Sequence, residues 1–210
     1  MTAATNTVPA AFWLLPCASD GRRLQEIIDT LALAHRAPPF EPHVTLHVTG
    51  CPANVDIEGV LGRLAAGHAA LTLTTLATGH SETYYQALFV NVSCELQDGP
   101  GLVALRRDLV GQLLDAWSAP TGPREDGRRA AAGRRADVAH ELATYAFHPH
   151  VSLLYGELPE QSRAGLALHH DLHGQTLRFD RIAAVRPAPG HRDLARVANW
   201  EVYGHRCLRD

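Results

Sequence analysis

The 210-residue chain contains no lysine; all 19 of its cationic side chains are arginines. Any cationic clamp on a phosphate therefore uses the planar guanidinium fork. Alanine is abundant, so the missing lysine reads as coding bias rather than as a functional signal. Charge of one sign is also scarce. A net −3 does not imply a broad nucleic-acid-binding surface. The four cysteines, Cys17, Cys51, Cys94 and Cys207, form no C-x-x-C pair, which argues against a zinc knuckle. A chain of this length buries a sizeable core without covalent staples, so reduced thiols are expected. Long apolar runs are missing too. The stretch from Val8 to Ala18 is short and holds two prolines, so it fails as a membrane span. No basic residue precedes Arg22, so it also fails as a secretory signal. The expectation is a cytoplasmic protein with no membrane partner and no obligate protein partner.

What the sequence does hold is one seven-residue phrase written twice. Phe40-Glu41-Pro42-His43-Val44-Thr45-Leu46 returns as Phe147-His148-Pro149-His150-Val151-Ser152-Leu153, 107 positions later. Five of the seven positions are identical, and a sixth exchanges one small hydroxyl for another. About half the chain separates the copies, which predicts two similar lobes, each offering one copy. Read as strands, the copies have period 2. His43 and Thr45 then share one face, while Val44, Leu46 and Val48 share the other. His150 and Ser152 repeat this against Val151 and Leu153. Residues i and i+2 lie roughly 6.5–7 Å apart along a strand, so an imidazole and a hydroxyl can reach the same small anion. The proline before each histidine favours extended chain and suits a strand start. The same alternation puts His47 on the His43 face, at the rim of any cleft.

Two imidazoles suit the opening of a strained phosphodiester. Water needs a base to take its proton, and the departing sugar oxygen needs an acid; imidazole does both near neutral pH. One neutral and one protonated histidine make a complete pair without a metal. Thr45 and Ser152 can donate to the non-bridging oxygens and hold the phosphorus in line. The symmetry makes the histidines exchangeable; this reading takes His150 as base and His43 as acid.

The doubled His-x-(Thr/Ser)-x-hydrophobic phrase resembles the two-histidine (2H) phosphoesterase superfamily, and its cyclic nucleotide phosphodiesterase branch in particular. Phe12-Trp13-Leu14-Leu15-Pro16, the stretch from Gly79 to Asn91 with Tyr84-Tyr85-Gln86, and Phe147 to Gly156 are similar as well, so the likeness spans most of the chain. The resemblance implies the catalytic and phosphate-holding roles just given for His43, Thr45, His150 and Ser152. It also implies an aromatic five residues after the second histidine, which is Tyr155 here. Strict alternation sets Tyr155 opposite His150, so a bulge or bend is needed to bring it round. The implied fold is α+β: a bilobal, pseudo-symmetric single domain over 1–210, with antiparallel sheets facing a central cleft and helices outside. The implied function is metal-independent hydrolysis of a 1″,2″- or 2′,3′-cyclic phosphate on a small nucleotide-like substrate, without a cofactor. An RNA end-processing or RNA ligase-like enzyme of the same superfamily, or a phosphate-binding module without catalysis, are the alternatives.

In chain order, residues 1–9 read as loose and Ala11 to Leu15 as a strand. A helix follows over Arg22 to His35, capped by Ser19 or Asp20. Cys51-Pro52 reads as a turn, and Asn54 or Asp56 as the cap of a second helix carrying Val60, Leu61 and Leu64. Leu71 to Thr78 and Tyr84 to Ser93 read as a hairpin. Leu102 to Trp117 reads as a helix. Residues 118–136 hold five arginines with several glycines and prolines, and read as a flexible, solvated insertion. His150 to Tyr155, a helix from Pro159 to His169, and strands over Thr176 to Val185 and Val197 to Arg206 complete the plan. His169, His170 and His173 sit at a helix end, where the dipole favours cations, and no metal site is expected there.

Overall fold

The computed structural model describes residues 7–52, 55–93, 101–117, 137–144, 146–187 and 200–209. The arginine-rich stretch 118–136, Cys94 and Asn54 lie outside the described residues. The elements run β1 (Thr7–Pro16), α1 (Ala18–His35), β2 (Val44–Pro52), α2 (Ile57–Gly67), β3 (Leu71–Gly79), β4 (Leu88–Val92), α3 (Leu102–Trp117), α4 (137–144), β5 (His150–Leu154), α5 (Glu160–His169), β6 (Thr176–Arg186) and β7 (Glu201–Cys207).

Local chemistry explains most of these bounds. Leu24, Ile28 and Leu31 recur at helical spacing and are buried on α1. Asp56 caps α2 by accepting the Gly59 N–H at 2.9 Å. Ser19 and Asp20 do not cap α1. Cys17 holds that position without a side-chain bond to the helix backbone, and Asp20 accepts the Arg178 N–H of β6 at 2.8 Å. Cys51-Pro52 is not a turn; both residues extend β2 and pair with Val8 and Thr7. Tyr84 to Gln86 form one 3₁₀ turn, which shortens the expected strand to β4.

The sheet is antiparallel, in the order β1-β2-β5-β4-β3-β6-β7, and β6 also pairs with β1. Hydrogen bonding therefore links six strands in a ring, with β7 added along β6. The chain traces β-α-β-α-β twice, as β1-α1-β2-α2-β3 and, with α4 as an added helix, as β4-α3-α4-β5-α5-β6. The pairings repeat with it. β1–β2 corresponds to β4–β5, and β3–β4 to β6–β1. The two halves meet along β2–β5 and β3–β6, each of which the pseudo-two-fold maps onto itself, and along the related pair β3–β4 and β6–β1. This internal pseudo-two-fold carries the doubled motif into adjacent strands.

Both motif strands bulge at the equivalent place. Three residues of β2, Thr45 to His47, oppose Trp13 and Phe12 of β1. Three residues of β5, Ser152 to Leu154, oppose Phe89 and Leu88 of β4. An extra residue reverses the alternation beyond it. His47 is thereby turned away from His43 and Thr45, against the strict-alternation expectation, and is fully buried. Its Nε2 meets Glu141 Oε1 of α4 at 3.1 Å, and Thr49 donates to the same oxygen at 3.0 Å. Glu141 thus ties α4 to the back of β2, the strand that starts directly after His43. Replacing Glu141 by alanine leaves those two partners short of an acceptor and should cost about 1–3 kcal/mol in urea unfolding. A midpoint equal to wild type would show that the tie adds nothing.

Two apolar clusters flank the strands. The larger packs Phe12, Leu14, Val44, Leu46, Val90, Val151 and Phe179 against Val60, Leu61 and Leu64 of α2 and Leu102, Leu105 and Leu109 of α3. The smaller lies on the opposite face of β1 and gathers Trp13, Leu15, Phe40, Tyr155, Ala183 and Val185, with Tyr84, Tyr85 and Trp200 partly buried beside them. Because β1 is buried on both faces, alternate residues feed different clusters. The candidate site opens on the smaller one.

Candidate active site

Val44 of β2 pairs with Val151 of β5 in antiparallel register. One residue further each way, that register sets His43 across from Ser152 and Thr45 across from His150. Alternation then puts all four on the face opposite the two valines. The four line one cavity of about 290 Å³, together with Trp13, Tyr85, Gln86, Tyr155 and Trp200. Tyr155 follows the β5 bulge and reaches the cavity. Val48, expected on the far face, reaches it by the matching bulge in β2. Gly156, next in the chain, has φ +153°, a conformation that L side chains rarely adopt, and ends the strand run there.

The two histidines are held alike. His43 Nδ1 donates to the Glu41 carbonyl at 2.6 Å, and His150 Nδ1 donates to the His148 carbonyl at 2.6 Å. A carbonyl only accepts, so each Nδ1 carries the hydrogen and each Nε2 is left for chemistry. Pro42 and Pro149 directly follow the accepting residues and keep each short loop extended.

Their surroundings differ. Trp13 stacks flat on His43, with centroids 3.8 Å apart, whereas Phe89 meets His150 edge-on at 5.3 Å. Burial pushes His43 down to about 4, more than the Glu41 carbonyl bond restores, and the neighbouring His150 lowers it further. Burial also lowers His150, the His148 carbonyl bond opposes this, and the electrostatic interaction with the His148 side chain adds to the lowering.

Among the hydroxyls, Thr45 has no hydrogen-bond partner among the described residues. Ser152 Oγ donates to the Tyr85 carbonyl at 2.8 Å, so its hydrogen must rotate before it can serve a phosphate. The Tyr155 ring lies on Phe40 with centroids 3.7 Å apart. Burial raises its hydroxyl well above the ordinary tyrosine range, with Ser152 opposing, so it stays protonated as a donor.

Sequence reasoning missed Trp13 and Trp200 as lining residues and left Tyr85 and Gln86 without roles. Trp13 lies in a segment noted for its resemblance, and its pairing with Thr45 in β1–β2 would have pointed to it. His169, His170 and His173 lie at the end of α5 and beyond it, away from the cavity lining. Cys17, Cys51 and Cys207 are free thiols. No helix among the described residues is long and apolar enough to cross a membrane.

The ring of strands and the facing histidines place this chain in the 2H phosphoesterase superfamily. Within it, the chain belongs to the cyclic phosphodiesterase-like protein family, whose model matches residues 8–183. TT0787 of Thermus thermophilus shares the fold with a TM-score of 0.55 at 16% identity, covering 96% of this chain and 98% of that one. Apo LigT of E. coli aligns with a TM-score of 0.52 at 16% identity, covering 97% and 99%. LigT in complex with NADP+ aligns with a TM-score of 0.50 at 15% identity, covering 98% and 100%. No curated protein matches the sequence.

Proposed function

We propose that the protein hydrolyses a cyclic phosphodiester on a small nucleotide-like molecule to a phosphomonoester, by general acid–base catalysis at His43 and His150. The observation that carries this is the pair of imidazoles lining one cavity, each with Nδ1 tied to a carbonyl and Nε2 without a hydrogen-bond partner among the described residues. His43 Nε2 takes a proton from water, and the water oxygen bonds to phosphorus. The bond from phosphorus to one sugar oxygen breaks, and His150 Nε2–H delivers a proton to that oxygen. Exchange with solvent then returns the proton from His43 and reloads His150.

This exchanges the roles assigned from sequence. The more deeply buried His43, under Trp13, holds a proton less readily and suits the base. Thr45 is the hydroxyl ready to donate to the phosphoryl oxygens; Tyr155, which bonds Ser152, and Ser152, which bonds the Tyr85 carbonyl, join it by leaving those partners. A cavity of about 290 Å³ supports a small substrate over an RNA strand.

The test is steady-state hydrolysis of a panel: nucleoside 2′,3′-cyclic phosphates, a 1″,2″-cyclic phosphate and a cyclic-ended oligonucleotide. Turnover is expected on one or more of the mononucleotide-sized compounds. A preference for the oligonucleotide that collapses with added salt would instead support RNA-end processing. Turnover is also expected to survive exhaustive chelation, because the two imidazoles supply both proton transfers. Loss on chelation with rescue by a divalent ion would replace the two-histidine mechanism.

A further inference from the structure

The two copies of the motif are held in place by different means. Phe40 opens the first copy and is buried, with the Tyr155 ring flat on it at 3.7 Å. Phe147 opens the second copy and is only partly buried, at the edge of the larger cluster. The pseudo-two-fold equates Tyr155, five residues after His150, with Val48, five residues after His43. Val48 has no ring to lay on Phe147. Arg106 of α3 takes that place: its guanidinium carbon lies 4.7 Å from the centre of the Phe147 ring.

Arg106 is 6% exposed and shares a face of α3 with Leu102, Leu105 and Leu109. A guanidinium is costly to bury among leucines unless it is well bonded. Its Nη2 donates to the Leu142 carbonyl at 3.1 Å. Leu142 lies in the last turn of α4, where carbonyls lack partners within the helix and a cation is favoured. Glu141, just before it, is bonded to His47 and Thr49 of β2. One side chain thus grips both the end of α4 and the first residue of the second copy. The next residue is His148, whose carbonyl accepts the His150 Nδ1–H at 2.6 Å. Beyond it, the Pro149 carbonyl accepts the Val92 N–H at 3.0 Å. His148 therefore lies between two pins, Arg106 on Phe147 and Val92 on Pro149.

We propose that Arg106 is a positioning residue for His150: by holding Leu142 and Phe147 it fixes the His148 carbonyl, which sets the His150 tautomer and aims Nε2 into the cavity. Arg106 is not among the residues that line the cavity, so it acts only through this loop. The proposal rests on the acid role given to His150 above.

The experiment compares wild type with Arg106→Met, which keeps a long apolar stem and loses the guanidinium. It has two readouts. One is kcat and KM on a 2′,3′-cyclic mononucleotide. The other is ring-nitrogen NMR at about pH 8, where both imidazoles are neutral and each tautomer is visible. Wild type should carry the hydrogen on Nδ1 in both His43 and His150. In Arg106→Met, His150 should shift toward the Nε2–H form while His43 stays as it is. Turnover should fall about 10–100-fold, the loss expected from misplacing a reacting group by about 1 Å, with KM within a few-fold of wild type. A folded Arg106→Met with wild-type kcat, or with an unchanged His150 tautomer, overturns the proposal. So does a wild type whose His150 lacks the Nδ1 hydrogen. If Arg106→Met does not fold, Phe147→Leu replaces it, since that variant loses the ring and keeps the Leu142 bond. It should shift His150 in the same direction to a smaller extent, and a wild-type tautomer there overturns the proposal. If wild type hydrolyses no cyclic phosphate, the phosphoester reading fails, and the tautomer alone decides whether Arg106 positions His150.

Discussion

Alanine at His43 or at His150 is expected to cut hydrolysis of a cyclic mononucleotide by roughly 10²–10⁴-fold, the usual contribution of a positioned acid or base. Each imidazole is held by a 2.6 Å bond from Nδ1 to a carbonyl two residues earlier, so the reacting Nε2 is aimed without a second side chain. Alanine removes the proton carrier while leaving the strand pairing of β2 and β5 in place. The double variant should be little worse than either single one, because the two groups act in one step. The pH profile gives a finer check. Both histidines are shifted below 6.5, so kcat/KM of the free enzyme should peak on the acidic side of that value. The profile belongs to the pair, since each imidazole feels the other's charge. Near-wild-type turnover in either alanine variant would end the two-histidine mechanism. A peak well above pH 7 would show that burial does not set the histidines' proton affinities.

The second large effect is on stability. His43 titrates near 6.5 when unfolded and at about 4 when folded, because its ring is buried beneath Trp13. Between those values the unfolded chain takes up a proton that the folded chain refuses. Stability is therefore lost as pH falls through that window and is fully present above it. The single-group contribution between pH 7 and pH 5 is about 2 kcal/mol. Urea unfolding of wild type and of His43→Asn at the two pH values isolates it, since the remaining titrating groups are common to both proteins. The wild type should lose about 2 kcal/mol more than the variant on acidification. Parallel losses would mean that His43 is not buried neutral.

The doubled motif was readable because seven residues recur in one order. Their period-2 pattern then assigns His43, Thr45, His150 and Ser152 to one face without any tertiary knowledge. The amphipathic helices were readable for a similar reason, and α3 has the bounds Leu102–Trp117 that its leucine spacing suggests. The misreadings of which face a side chain takes have one physical source. His47 and Val48 were each given the wrong face because a bulge in β2 inserts one residue into the alternation, and nothing in Thr45-Leu46-His47-Val48 marks it. The bulge in β5 brought Tyr155 to the cavity for the same reason. A bulge exists only in relation to a partner strand, so local sequence does not specify it.

The sequence by itself determined the kind of chemistry on offer: two imidazoles and two small hydroxyls at strand spacing, half a chain apart, with apolar residues between them to bury the opposite face. Only the tertiary structure decided how those copies meet. Val44 pairs with Val151, and the ring of strands closes through β1–β6. Tertiary packing also made the two histidines unequal. Trp13, beside Thr45 on one strand, lies flat on His43; Phe89, beside Ser152 on another, stands edge-on to His150. Trp200, remote in sequence from both, completes the aromatic wall. Burial and ring stacking depend on which surfaces long-range pairing brings together, and a repeated motif carries no record of its neighbours.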